Sequence, residues 1–83
     1  MARVTVYTTP SCPYCVQAKR LLAERGIPYD EVDVGGDPVL RDEMVARAGG
    51  KRTVPQIFID GAHVGGYVEL RALADRGGLA DLP

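Results

Sequence analysis

Apolar and polar residues alternate along two segments of the chain, and this pattern predicts two β-strands. The first, Val4-Thr5-Val6-Tyr7-Thr8, is rich in β-branched and aromatic residues and is apolar on alternate positions, as strands are. The second, Tyr29-Asp30-Glu31-Val32-Asp33-Val34, alternates apolar with acidic residues, which is typical of a strand with one exposed face. Gly35-Gly36 ends this second strand.

Two segments with apolar residues at helical spacing follow these strands. The first helix is predicted to begin at Pro13 and to stop at Gly26, since Pro suits the first helical position and Gly ends helices. In the second, Asp37 is the capping residue, Pro38 takes the first position and Gly49-Gly50 ends the helix. The predicted buried stripes are Tyr14, Ala18, Leu21 and Leu22 in the first helix and Leu40, Met44, Val45 and Ala48 in the second.

The remainder of the chain predicts a hairpin and a third helix. Ile57-Phe58-Ile59 and Ala62-His63-Val64 flank Asp60-Gly61, a dipeptide suited to a type I′ turn between antiparallel strands. A last helix turns Leu70 and Leu73 inward. Because a helix joins the first two strands, these are predicted to be parallel, with a right-handed crossover. The predicted fold class is therefore α/β, in the order β-α-β-α-β-β-α, with a mixed four-stranded sheet.

Length and charge narrow the class of protein. The 83 residues are expected to form one domain, residues 1–83, around a single small core. Ten Lys and Arg against eleven Asp and Glu give a net charge of −1, and no basic run is longer than Lys51-Arg52, so nucleic acid is not an expected partner. No apolar run has the length of a signal peptide or of a membrane span. We expect a cytoplasmic protein with no membrane partner.

The two cysteines stand in Cys12-Pro13-Tyr14-Cys15, where the first predicted strand gives way to the first helix. Cys12 is then the N-cap, where unpaired N–H groups and the positive end of the helix dipole favour a thiolate over a thiol. Cys15 lies one turn further in, on the same face, within bonding reach of Cys12 and more shielded. This arrangement predicts that Cys12 is reactive.

Three other interpretations of the pair compete with redox chemistry. A structural disulfide across so short a loop contributes only about 2 kcal/mol, against about 3 kcal/mol for a 15-residue loop, and a cytosolic protein keeps such a bridge reduced. A zinc site usually needs four ligands, whereas the chain has two Cys and one His, so only a dimer would complete it. Two unrelated buried thiols would not explain the strand, the Pro and the helix start around them. Redox chemistry is the favoured interpretation.

Pro55 opens the third predicted strand, where its missing N–H is tolerated. A cis bond before Pro55 would turn Thr53-Val54-Pro55 so that the Val54 backbone groups point at the cysteines and can pair with a bound peptide. Only about 5–6% of X–Pro bonds are cis. The local sequence therefore favours an ordinary trans Pro55.

Taken together, several motifs resemble those of the glutaredoxins, in their small bacterial dithiol form within the thioredoxin superfamily. The resemblance covers nearly the whole chain and rests on Tyr7-Thr8, Cys12-Pro13-Tyr14-Cys15, residues 53–60, Gly65-Gly66 and Arg76-Gly77-Gly78-Leu79. It implies a thioredoxin-like fold, a cis Pro55 and a glutathione-dependent thiol–disulfide oxidoreductase that contains no metal. Glutathione, as reductant and co-substrate, would lie in a groove between the Cys12 loop, the Val54-Pro55 turn and the start of the last helix.

The resemblance also implies roles for individual backbone groups along this groove. Val54, within the turn that begins at Thr53, would pair with the cysteinyl unit of glutathione. The backbone N–H groups of Gly66, Tyr67 and Val68 would hold the γ-glutamyl carboxylate, and a helix N-terminus is a natural anion site.

Several side chains keep two interpretations. Glu69 either holds the γ-glutamyl ammonium or is a first-turn acid that the helix dipole favours. Tyr14 either flanks the groove or packs in the apolar stripe of its helix. Thr9 stands where related proteins often have a Lys that meets the glycine carboxylate of glutathione. Lys51 and Arg52 either supply that missing charge or form a solvated basic pair.

Other residues give weaker signals. The stretch 67–69 replaces the commoner small residue and two acids, which reduces side-chain contacts to the γ-glutamyl end. Lys19 either favours a thiolate at Cys15 or is a solvated surface residue. His63 is expected on an exposed strand without a partner, and it is assigned no role.

The implied reaction begins when the Cys12 thiolate attacks the glutathionyl sulfur of a protein–glutathione mixed disulfide, after which a second glutathione regenerates Cys12. Protein disulfides also require Cys15, which resolves the mixed disulfide with the substrate. The implied partners of a monomeric chain are glutathione and glutathionylated or disulfide-bonded proteins, with ribonucleotide reductase as a candidate. Two alternatives stay open: a redoxin reduced by thioredoxin reductase, which Thr9 favours, and a carrier of a [2Fe–2S] cluster held by Cys12 of two chains and two glutathiones, which Pro13 disfavours.

Overall fold

The computed structural model describes residues 3–80, and its helices and strands follow the predicted order. Strand β1 is followed by α1, β2, α2, the hairpin strands β3 and β4, and α3. Their bounds are Val4–Thr8, Pro13–Glu24, Asp30–Asp33, Pro38–Arg47, Gln56–Ile59, Ala62–Gly65 and Tyr67–Asp75. The α/β class is confirmed. No helix within residues 3–80 is long and apolar enough to cross a membrane.

The four strands form one mixed sheet in the order β2-β1-β3-β4. Strand β1 pairs in parallel with β2 and antiparallel with β3, and β3 pairs antiparallel with β4. The two hairpin strands meet at Asp60 and Gly61, whose φ values are 52° and 83°, and a type I′ turn requires a positive φ at both central positions. The sheet therefore has β2 and β4 as its edges and β1 and β3 as its centre.

Side chains of the two central strands alternate between two apolar clusters, one on each face of the sheet. Val6 and Ile57 belong to the cluster that includes residues of α1 and α3. Tyr7 and Phe58, the next residues along each strand, belong to the cluster that includes Met44 of α2. This is the two-residue period of a strand buried on both faces, and it places the ends of β1 and β3 between the helices.

The predicted buried stripes are confirmed with one exception. In α1, Ala18, Leu21 and Leu22 are buried. Tyr14 is 57% exposed, because at the second position of the helix it lies beside α3 rather than over the sheet. The interpretation of Tyr14 as a core residue is therefore wrong. In α2, Met44 and Ala48 are buried and Leu40 and Val45 pack against them, and in α3 Leu70 is buried and Leu73 is half-buried.

Candidate functional site

Both cysteines lie at the N-terminus of α1. Cys12 is the N-cap, with extended dihedral angles (φ −121°, ψ 104°). Its Sγ accepts a hydrogen bond from the backbone N–H of Cys15 at 3.1 Å. A disulfide joins the two residues, and their Cα atoms are 5.1 Å apart. The helix start thus holds two sulfurs in a geometry in which the bond between them can form and break.

The two sulfurs differ in access. Cys12 is 9% exposed and Cys15 is 1% exposed, which confirms that Cys15 is the more shielded residue. No acidic residue lies in the first turn of α1, so no carboxylate there offsets the positive end of the helix dipole. Cys12 is therefore the more accessible of the two sulfurs, and it lies at a helix end that favours negative charge.

The turn before β3 lies directly against Cys12. The Val54–Pro55 bond is cis, and the Val54 carbonyl oxygen lies 3.6 Å from the Cys12 Sγ. The expectation of a trans bond from the local sequence is wrong, whereas the cis bond implied by the resemblance is confirmed. The intrinsic preference for trans is only about 0.5–1 kcal/mol before proline, so contacts elsewhere in the fold can override it.

A groove of about 150 Å³ runs between this turn and the start of α3. It brings together the predicted binding residues except Lys51 and Arg52. Its lining consists of Tyr14, Thr53, Val54, Pro55, Gly66, Tyr67, Val68 and Glu69. Residues from three separated stretches of the sequence therefore meet in one concave surface next to the more exposed sulfur.

Lys51 and Arg52 are both exposed and do not line this groove. Arg52 lines a different cleft, beside the start of α2, and its carbonyl oxygen accepts a hydrogen bond from the Arg41 Nη2 at 2.7 Å. Within the described lining of the groove, Glu69 is the one charged residue. The cation missing at Thr9 therefore has no substitute among the residues that line the groove.

The N-terminus of α3 forms the far end of the groove. Gly66 is the N-cap, and its backbone N–H donates to the Glu69 Oε1 at 2.7 Å. Glu69 packs so closely that a Cβ on Gly65 would lie 2.8 Å from that oxygen, and Gly65 has a φ of 124°, so only glycine fits there. The next N–H groups, of Tyr67 and Val68, have no acceptor within the helix because of their position. Glu69 thus caps the helix and occupies the Gly66 N–H, so of the three N–H groups expected to meet the γ-glutamyl carboxylate only those of Tyr67 and Val68 are left without this partner.

Two tyrosines form a wall of the groove. The rings of Tyr14 and Tyr67 stack with centroids 6.2 Å apart and planes at 28°. Arg71 donates to the Tyr67 hydroxyl at 3.5 Å. The resemblance implied that the Tyr67 backbone belongs to the site, and the sequence left Tyr14 with two interpretations. Neither predicted the contact between the two rings, because residues on different helices share no periodicity.

Lys19 is engaged away from the cysteines. Its Nζ lies 3.0 Å from the Glu31 Oε2, which also accepts a hydrogen bond from the Thr8 hydroxyl at 2.8 Å. The hydrogen bonds from Lys19 and Thr8 lower the pKa of Glu31. The ammonium of Lys19 is therefore paired with a carboxylate on β2.

His63 has a partner that the sequence analysis missed. Its Nε2 lies 2.7 Å from the Oε1 of Gln56, and the Gln56 Nε2 donates to the Thr53 carbonyl oxygen at 2.9 Å. The expectation of an unpartnered His63 is wrong. A signal was present in the hairpin register: Phe58 is opposite His63, and Gln56, two residues before Phe58, shares its face.

A larger cleft, of about 530 Å³, lies over the α2 face of the sheet, and its lining does not include the Val54–Pro55 turn that lies against Cys12. Its charged groups are largely paired: Arg3 with Asp30 at 2.8 Å, and Arg47 with the Tyr7 hydroxyl at 2.9 Å. Because Val54, which lines the smaller groove, lies against the Cys12 Sγ, we assign the candidate site to that groove. Within residues 3–80, no group of three or more His, Cys, Asp and Glu is placed to hold a metal ion.

Comparison with known proteins gives consistent matches. The family model for glutaredoxin matches residues 4–64. The chain is 49% identical over 82 residues to glutaredoxin 3 of Escherichia coli (strain K12), covering 99% of this chain and 98% of that protein. The solution structure of glutaredoxin from Brucella melitensis superposes with a TM-score of 0.83 at 50% identity, covering 96% of this chain and 86% of the other. The crystal structure of a buckwheat glutaredoxin–glutathione complex has a TM-score of 0.83 at 26% identity, covering 93% of this chain and 72% of the other.

Proposed function

Since the chain belongs to the glutaredoxin family of glutathione-dependent thiol–disulfide oxidoreductases, we propose that Cys12 is its nucleophile and Cys15 its resolving thiol. One observation carries this assignment: Cys12 is the N-cap of α1 and the more exposed sulfur, with the Val54 turn beside it. Cys15 lies within bonding distance but is shielded from substrates.

With a protein–glutathione mixed disulfide, the Cys12 thiolate attacks the glutathionyl sulfur. The substrate disulfide breaks, the protein leaves as a thiolate that takes up a proton, and a disulfide forms between Cys12 and glutathione. The thiolate of a second glutathione then attacks the glutathionyl sulfur and expels Cys12, which gives oxidised glutathione. Two glutathione units end as one disulfide, so two electrons reach the substrate.

With a protein disulfide, Cys12 first forms a mixed disulfide with one substrate sulfur. Cys15 then attacks the Cys12 Sγ, which releases the reduced substrate and leaves the bridge between Cys12 and Cys15. Two glutathiones reduce this bridge in turn. Only this route requires Cys15.

The position of Cys12 at the helix start favours turnover more than the first attack. If the thiol pKa fell from about 8.5 to about 5, the thiolate fraction at pH 7 would rise roughly 30-fold, while a Brønsted slope near 0.5 would reduce intrinsic nucleophilicity about 50-fold. These two effects nearly cancel. The gain comes when glutathione attacks the mixed disulfide, because a thiol of low pKa is the better leaving group.

We propose that glutathione lies along the groove between Tyr14 and the start of α3. The backbone of Val54 would pair with its cysteinyl unit, and the N–H groups of Tyr67 and Val68 would hold its γ-glutamyl carboxylate, as helix N-termini do with anions. The glutathione complex of the buckwheat relative supports this choice of ligand. Glu69 is then a helix cap that shapes the end of the groove.

The proposal also covers the setting of the reaction. Residues 1–83 act as one domain and as a monomer, because both thiols and the whole groove come from one chain. Its substrates are glutathionylated or disulfide-bonded proteins, with ribonucleotide reductase as one candidate, and it uses glutathione with no resident metal. The need for reduced glutathione favours the cytoplasm.

One observation favours a second reductant. Because no Lys or Arg is among the described residues that line the groove, the glycine carboxylate of glutathione lacks a cationic partner there. Reduction by a flavoprotein thioredoxin reductase therefore remains the alternative.

Turnover of a small glutathione mixed disulfide distinguishes the two reductants. We expect activity with glutathione and glutathione reductase, and little with thioredoxin reductase alone. Activity only with thioredoxin reductase would overturn the proposal. A protein with Cys12→Ser serves as the blank in both assays, because it retains a helix cap but has no nucleophile.

A further inference from the structure

A buried side-chain amide connects the turn at the groove with the edge strand β4. Gln56, the first residue of β3, is 1% exposed. Its Nε2 donates to the Thr53 carbonyl oxygen at 2.9 Å and lies 3.2 Å from the Thr53 hydroxyl. On its other side, its Oε1 lies 2.7 Å from the Nε2 of His63. Thr53 immediately precedes the Val54 turn, so this chain of contacts ends at the site.

Chemistry fixes which group donates in each of the hydrogen bonds that link Thr53, Gln56 and His63. A backbone carbonyl oxygen only accepts, so the group that faces Thr53 must be the NH₂ of Gln56. The amide oxygen of Gln56 then faces His63, and His63 must carry a proton on Nε2. Both the neutral tautomer with Nε2–H and the imidazolium satisfy this requirement.

The hydrogen bond from Gln56 to the Thr53 carbonyl oxygen holds the peptide unit that includes the Val54 N–H. The carbonyl of Thr53 and the N–H of Val54 belong to the same peptide unit, and in a trans peptide these two bonds point in opposite directions. The only cis bond among the described residues is the next one, Val54–Pro55. When Gln56 holds the carbonyl from the interior, the Val54 N–H is turned away from Gln56, and the turn that carries it lines the groove.

We propose that Gln56 and His63 are positioning residues for the cysteinyl unit of the substrate. His63 orients the amide of Gln56, and Gln56 fixes the peptide plane between Thr53 and Val54, so that the Val54 N–H is preorganised to donate. This role rests on the proposed function, in which the Val54 backbone pairs with glutathione. Preorganisation of a donor stabilises ground state and transition state alike, so its loss raises KM and leaves kcat nearly unchanged.

Substitution of His63 tests the proposal without emptying the core, because His63 is exposed. His63→Leu and His63→Gln both remove the imidazole ring, which packs on Phe58 with centroids 5.0 Å apart, but only Gln can restore an N–H donor to Gln56. We expect His63→Leu to raise the KM for a glutathione mixed disulfide about three- to tenfold, as the loss of one hydrogen bond implies, with kcat within about twofold. His63→Gln is expected to recover most of the lost affinity. Ala62→Ser, on the same exposed strand but outside the network, is the control.

A spectroscopic measurement tests the geometry independently of turnover. In the wild-type protein, ¹⁵N–¹H correlation of the His63 ring should identify Nε2 as protonated, and the backbone amide of Val54 should shift in His63→Leu but much less in His63→Gln. A neutral ring protonated on Nδ1 alone, or equal KM values for the Leu and Gln variants, would overturn the proposal. If the wild-type protein does not reduce a mixed disulfide with glutathione, the proposed function is wrong. The His63 tautomer and the Val54 shift then still decide whether Gln56 and His63 orient the peptide unit between Thr53 and Val54.

Discussion

Helices α1 and α2 begin with nearly the same backbone geometry. Cys12 caps α1 with φ −121° and ψ 104°, and Asp37 caps α2 with φ −133° and ψ 95°. A proline follows each cap. In both helices the capping side chain accepts a hydrogen bond at 3.1 Å from the N–H three residues later, that of Cys15 or that of Leu40.

The two helix starts differ in the capping atom and in what lies across from it. Asp37 offers a carboxylate that also accepts from Val39 at 3.1 Å, so it stabilises the helix and forms no bond with a substrate. Cys12 offers a sulfur, which is a weaker acceptor but can exchange disulfide bonds, and the Val54 carbonyl lies 3.6 Å from it. The capping atom and the opposing turn therefore distinguish the candidate reactive end of α1 from the structural end of α2, although the backbone geometry of the two ends is nearly the same.

The largest expected effect is the loss of activity on replacing the sulfur cap. Cys12→Ser should reduce turnover of both mixed disulfides and protein disulfides to the uncatalysed background, because the one thiol that is left, that of Cys15, is 1% exposed. Ser is a preferred N-cap, so the free energy of unfolding, measured in urea with both proteins reduced so that no disulfide contributes, should change by no more than about 0.5 kcal/mol. Turnover above background in either assay would contradict the assignment.

Cys15→Ser separates the roles of the two thiols at the same helix start. Reduction of glutathione mixed disulfides should persist at a comparable rate, whereas reduction of protein disulfides should fall at least about tenfold, since the mixed disulfide can no longer be resolved within the chain. Both rates are measured with glutathione and glutathione reductase. An equal loss of the two activities would mean that Cys12 is not the nucleophile.

Asp37→Ala should have the reverse effect at the structural end. Loss of the carboxylate cap is expected to lower the free energy of unfolding by about 0.5–2 kcal/mol, while kcat/KM for a mixed disulfide stays within about twofold. Urea unfolding and the coupled assay give the two numbers. A fall in kcat/KM of clearly more than twofold, measured where the variant is still folded, would show that the two helix starts are not independent.

Asp37→Cys in a chain with Cys12→Ser and Cys15→Ser tests whether position alone activates a thiol. The helix dipole, at about 0.3–1 kcal/mol, should lower the pKa of the introduced thiol by about 0.2–0.7 units below the usual value near 8.5. The pH dependence of alkylation gives this pKa. The matched control is Ala46→Cys in the same background, on the last turn of α2. Equal pKa values at the two positions would refute a contribution from the helix start.

The smallest expected effect concerns Glu31, which binds Lys19 and Thr8 on the α1 side of the sheet. Because these partners lower its pKa in the folded state, its contribution is full above the ordinary value near 4.5 and is lost as the pH falls through the lowered value. Glu31→Gln should therefore reduce the free energy of unfolding by about 0.2–1 kcal/mol at pH 7. As the pH falls below the lowered pKa of Glu31, the difference from wild type should shrink toward zero. Glu43→Gln, on the exposed face of α2, is the control, and a difference that is independent of pH would contradict this account.

The order of the elements and the place of the cysteine pair could be predicted because both depend on local signals. Strand alternation, prolines at helix starts and the Asp60-Gly61 turn act within a few residues, and each is present in the structure. The trans expectation for Pro55 failed because the small intrinsic preference of a proline bond is easily overridden by contacts outside the segment. The prediction that Tyr14 is buried in the apolar stripe of α1 failed because its ring packs against Tyr67, which lies on another helix.

The contacts between the residues of the site were harder to predict than the identity of those residues. The lining of the groove joins residues from three distant stretches, and the resemblance supplied them individually. Lys51 and Arg52 were suggested as the cations for the glycine carboxylate because of their charge. Charge does not determine where a side chain lies in the fold, and neither residue lines the groove. Prediction of the contact between Gln56 and His63 requires the register of the hairpin, which depends on the geometry of its turn.

The acidic alternation of β2 has a consequence for how copies of this chain meet. Strand β2 is one edge of the sheet, and its exposed residues include Asp30, Glu31 and Asp33. An open edge presents unpaired backbone groups on which another strand could grow, and charged side chains are a common means of blocking such growth. Asp30 and Glu31 are paired with Arg3 and Lys19, so two copies that met along this edge would have to desolvate these ion pairs. We therefore expect the sheet to end at four strands even when the protein is crowded.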